Sequence, residues 1–62
     1  MEWTFDGSEW RAKGSYAEWR VFENRQIGGF RGENVTTRTG KRYDTVEQAK
    51  EHCEAEDRQM RM

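Results

Sequence analysis

A chain of 62 residues, 37% of them charged and none of them proline, makes one domain at most, and at that size folding buries only about 60% of the unfolded surface. Cys53 is the only cysteine, which excludes an internal disulfide and fits a reducing compartment, and no apolar run is long enough for a signal peptide or a membrane span. The formal net charge of −1 hides a split: residues 10–42 carry eight basic side chains against three glutamates, a net of +5, and the flanks carry three basic against nine acidic, a net of −6.

Glu9 to Lys13 alternates polar and apolar residues, with Trp10 and Ala12 on one face, and Gly14-Ser15 is a turn signal. The clearest strand runs over 16–23, where Ala17, Trp19 and Val21 share one side and Tyr16, Glu18, Arg20 and Phe22 the other. A hairpin joins these two strands. Asn24-Arg25-Gln26 turns the chain, and Gly28 to Asn34, with three glycines, reads as a flexible excursion or a bulged edge. Val35, Thr36, Thr37 and Thr39 predict a third strand over 35–39.

Thr45 with Gln48 three residues on has the form of a capping box, and Asp44 and Glu47 suit the positive end of a helix. That helix is predicted over about 45–58. Val46, Ala49, Cys53 and Met60 form its apolar stripe with Glu56 as the polar intruder, while Lys50, Glu51, Glu54, Asp57 and Arg58 point elsewhere. Residues 59–62 are expected to fray. The fold class is therefore α+β: a small antiparallel sheet of two to three strands packed against one C-terminal helix, a single domain over 1–62.

Leucine is absent, isoleucine occurs once and valine three times, so the eight aromatics, all within the first 43 residues, must supply the core. Trp19 is expected to be buried against the helix.

No catalytic or cofactor signature stands beside the charge split. His52 and Cys53 are single and adjacent, about 100° apart on a helix, and a structural zinc needs four such ligands. No metal or cofactor is expected, nor enzymatic activity. Gly28-Gly29-Phe30-Arg31-Gly32 lacks the lysine and hydroxyl of a phosphate-binding loop and reads as a loop presenting Phe30 and Arg31 as an anchor pair. The basic, aromatic half offers the candidate partner surface: Arg11, Arg20, Phe22, Phe30, Arg31, Arg38 and Arg42. Such a set serves a protein partner, or neutralises phosphates while aromatics meet bases; cross-strand pairing of the arginines with Glu18 and Glu23 is the plainer reading. The helical carboxylates Glu47, Glu51 and Glu54 form an alternative acidic surface, spaced to mimic nucleic acid.

The run Gly40-Lys41-Arg42-Tyr43-Asp44-Thr45-Val46-Glu47-Gln48-Ala49 resembles the sheet-to-helix step of plant ethylene-response-factor DNA-binding domains and of integrase arm domains. That resemblance implies three strands before the helix, with strand arginines contacting DNA. Trp3, Gly7-Ser8, Trp10 and Ala12 ahead of Tyr16, with the threonine-capped helix, are also similar in style to small phage and prophage accessory proteins, a group that includes anti-CRISPR inhibitors.

The expected function is that of a non-enzymatic viral accessory protein, acting in the cytoplasm of a bacterial host, that binds and inhibits or redirects a host protein or nucleoprotein complex. A sheet-based DNA- or RNA-binding module, with direct nucleic-acid contact, is the alternative. Homodimerisation is left open, and no membrane partner is expected.

Overall fold

Five antiparallel strands form one meandering sheet in the computed structural model, which describes residues 1–60: β1 (Thr4–Phe5), β2 (Glu9–Lys13), β3 (Glu18–Glu23), β4 (Phe30–Asn34) and β5 (Thr39–Tyr43), ordered β1-β2-β3-β4-β5. The helix α1 (Val46–Gln59) closes the chain's path and lies mainly over β4, with β3 and β5 on either side. The α+β class and the C-terminal helix stand, but the sheet has five strands rather than two or three.

The register divides the sheet into two faces. Ala12 pairs with Trp19 and Trp19 with Asn34; Trp10 pairs with Val21 and Val21 with Gly32. That face packs on the helix, and Ala17, Trp19, Val21, Ala49 and Cys53 are its buried centre, flanked by Trp3, Trp10, Phe30, Tyr43, Val46 and Met60. The expected sidedness of Trp19 and Val21 holds, because a period of two leaves β3 only one way to bury both. Trp19 is 3% exposed.

Three expected elements need correction. The strand over 16–23 begins only at Glu18, since Gly14 N–H donates to Ala17 O at 2.8 Å and closes a turn over 14–17. Of the third strand expected over 35–39, residues 35–38 are instead the β4–β5 turn and Thr39 opens β5. Asn34 O accepts from Arg38 N–H at 2.8 Å and Asn34 Oδ1 from Thr37 N–H at 3.1 Å, so local polar bonding overrides β-branched propensity. Arg38 is held there at a left-handed φ of 62°. The glycine-rich stretch expected as an excursion or edge contains β4, an interior strand. Its Gly32 is buried, and a Cβ there would stand 3.0 Å from the Tyr43 ring and 3.1 Å from Cys53 Sγ. Glycine lets the helix sit close.

Thr45 Oγ1 accepts from Gln48 N–H at 3.1 Å, and Gln48 Oε1 accepts from Asp44 N–H at 3.2 Å, so the capping pair forms as expected, with its return bond displaced one residue outward. Fraying does not reach Gln59, which is the last helical residue, and Met60 is the C-cap; residues 61–62 lie outside the described residues.

The buried stripe of α1 contains Asp57, not Glu56. Asp57 is 5% exposed, and its carboxylate accepts from the backbone N–H groups of Ser15 (2.8 Å), Tyr16 (3.1 Å) and Ala17 (3.3 Å) and from Trp19 Nε1 (3.1 Å). Gly14 is required beside it, because a Cβ would run into the carboxylate. Burial pushes the Asp57 carboxyl up, but the four donors outweigh it and hold it below 3.8. Stability from this depression is complete above about pH 4, the unfolded value, and is lost as pH falls through the lower folded value. The expected result is a stability that falls as pH drops below about 4, measured by urea unfolding across pH and shallower in an Asp57→Asn variant, where Glu33 and Asp6 still titrate below their ordinary values.

Candidate binding face

The face turned away from the helix is uncovered. Cross-strand partners place Glu9, Phe22, Arg31 and Arg42 in one row across β2 to β5, and Arg11, Arg20, Glu33 and Gly40 in the next. Arginine therefore stands directly opposite arginine twice, Arg11 facing Arg20 and Arg31 facing Arg42. Like charges opposed across a ladder are destabilising, and two carboxylates, one in each row, relieve them.

Those carboxylates are Glu9 and Glu33, not the expected Glu18 and Glu23. Arg11 Nε donates to Glu9 at 2.7 Å, Arg20 Nε to Glu33 at 2.6 Å with Nη1 to Glu9 at 3.4 Å, and Arg31 Nε to Glu33 at 3.3 Å. Arg42 Nε donates to Gly28 O at 2.8 Å and its Nη1 to Asp44 at 3.0 Å. All four arginines are thus tied down through Nε. The carboxylates are the inner layer and the guanidinium ends the outer one: the side chains of Glu9 and Glu33 are 13% and 16% exposed, that of Arg11 is 65%. Both terminal nitrogens of Arg11 and Arg31 have no partner among the described residues. Burial pushes Glu33 up, but hydrogen bonds and charge from Arg20 and Arg31 bring it below its ordinary value, so it stays ionised.

Five of the seven expected partner residues meet on this face: Arg11, Arg20, Phe22, Arg31 and Arg42. Arg38, in the β4–β5 turn, joins them at one end, lining a groove with Arg11, Arg20, Glu33 and Val35. Phe30 does not. It neighbours Arg31 in a strand, so it turns to the helix side and packs half-buried on the core. The expected Phe30–Arg31 anchor pair is divided between two faces. Phe22 remains, with the Arg20 guanidinium 4.5 Å over its ring.

The acidic alternative is partly engaged. Glu47 and Glu51 are exposed, but Glu54 accepts from Trp3 Nε1 at 2.9 Å and ties the N-terminal segment to the helix. Lys50 lies beside it, 5.1 Å from the Trp10 ring and 6.0 Å from that of Trp3. Cys53 is buried, and burial pushes its thiol up to about 12, with Glu56 and Glu54 adding to it, so it stays protonated and unreactive. The His52 ring lies 4.9 Å from that of Tyr43, tilted by 46°. Among the described residues, no three His, Cys, Asp or Glu side chains are placed to hold a metal, and no helix is long and apolar enough to cross a membrane.

No family model, curated protein or solved structure matches the chain.

Proposed function

We propose that the chain is a non-enzymatic binding protein of the phage accessory type, which docks on a host macromolecular complex through the open face of its sheet and inhibits or redirects it. One observation carries the reading: two arginine pairs directly opposed across the ladders, all four guanidiniums anchored by Nε, with the terminal nitrogens of Arg11 and Arg31 left without a partner among the described residues. Opposed like charges are a poor way to stabilise a sheet. They are a good way to present a fixed cluster of donors, since arginine held before binding loses less freedom on meeting carboxylates or phosphates.

Charge reversal tests the face. In Arg11→Glu and Arg31→Glu each new glutamate lies opposite an arginine, Arg20 or Arg42, which offsets the loss of the bonds to Glu9 and Glu33, and an unchanged far-UV circular dichroism spectrum and melt are the check that the fold is kept. Association with the complex, measured by pull-down from a bacterial lysate, should be lost in the double variant and kept in Glu47→Lys with Glu51→Lys on the helix. The opposite pattern would move the binding surface to the helix. The same face favours, as a second reading, a sheet-based nucleic-acid module, for which binding must weaken steeply with salt as neutralised phosphates release counterions.

A further inference from the structure

An aromatic groove opens at the end of the sheet where the β1–β2 and β3–β4 turns lie. Phe5, Trp10, Phe22 and Phe30 are among its walls, Gly7 and Arg25 stand beside them, and its volume is about 420 Å³. Phe5 is 52% exposed although its ring rests 4.5 Å from that of Trp10. Only the two-residue strand β1 holds it. The groove is continuous with the arginine face, because Phe22 and Glu9 belong to both: Phe22 pairs with Glu9 on one side and Arg31 on the other.

An aromatic groove whose Phe22 wall stands directly opposite Arg31 on the sheet has a definite complement. We propose that it takes a bulky apolar side chain from an acidic segment of a partner protein, the anchor entering between Phe5 and Phe22 and the flanking carboxylates meeting Arg31, Arg11 and Arg42. The inference rests on the open face being the binding surface and adds what that surface reads. Aromatic anchors in desolvated pockets with arginine at their edge are how protein interfaces concentrate their energy. Arg20 already covers one face of Phe22, which removes a platform on which a base would stack.

The test is selection of a displayed library of random twelve-residue peptides on the full chain, followed by titration of a synthetic selected peptide through tryptophan fluorescence. Selected peptides should carry one Phe, Trp, Leu or Met flanked by Asp or Glu. Affinity should fall at least tenfold with Phe5→Ser, with Arg31→Glu and with alanine at the peptide's anchor, and be unchanged with Glu47→Lys, all variants melting as the parent does. Enrichment of peptides lacking acid or lacking an anchor, no enrichment at all, or indifference to Phe5→Ser overturns the inference. So does tight, competing binding of a single-stranded or duplex oligonucleotide, which would assign the face to nucleic acid. If Arg11→Glu with Arg31→Glu abolishes lysate association while Phe5→Ser leaves it intact, the open face binds but the groove does not, and this inference alone fails.

Discussion

Asp57→Ala should unfold the domain. Among the described residues the carboxylate is the only acceptor for three successive N–H groups in the β2–β3 turn and for the Trp19 indole, and it joins the end of α1 to the hairpin some 40 residues earlier. Hydrogen bonds to a charged group contribute about 1.5–3 kcal/mol each, and a core in a domain this small supplies only about 3–5 kcal/mol. Loss of even two of the four therefore removes most of the stability. Far-UV circular dichroism and thermal melting read the outcome directly. Asp57→Asn should fall between, because the amide keeps one acceptor and turns its own donors toward the others. A cooperative melt near that of the parent in Asp57→Ala would show that the turn over 14–17 holds itself.

Trp19→Ala is the second large effect, at about 3–5 kcal/mol. Trp19 lies at the centre of the helix-facing side, in one buried cluster with Val21, Ala49 and Cys53. Those neighbours are small, so little can move in to fill the space. Trp19→Phe separates burial from hydrogen bonding: it keeps most of the apolar volume and strips the N–H that reaches Asp57, for a loss of about 1–3 kcal/mol. In an Asp57→Asn background that loss should shrink, because the two side chains share one interaction. Equal losses in both backgrounds, read by urea unfolding, would deny the coupling.

Helix and hairpin were legible because their signals are local. Thr45 and Gln48 cap one turn of backbone whatever lies above it, and the alternation through Trp19 and Val21 admits one buried side. Most of the misread segments depend on partners distant in sequence. Gly32 looks like a loop residue until Tyr43 and Cys53 stand against it. Asp57 looks like one more solvated helix charge until the turn over 14–17 brings its N–H groups to it. Thr4–Phe5 is too short to show a period and exists as a strand only through pairing with Arg11 and Trp10. The threonines at 36 and 37 favour a strand, yet Asn34 bends the backbone into a turn first.

For the candidate face, sequence by itself determined the composition: a basic, aromatic middle, an acidic helix and the identity of the arginines. It could not say that Arg11 faces Arg20, that Glu9 and Glu33 hold them from beneath, or that Phe30 turns away while Phe22 stays. Charge is additive along a chain and can be counted without a fold. Which charges oppose one another depends on strand register, and register here is decided by burial on the other side of the sheet, where Trp19, Val21 and Gly32 must all meet the helix.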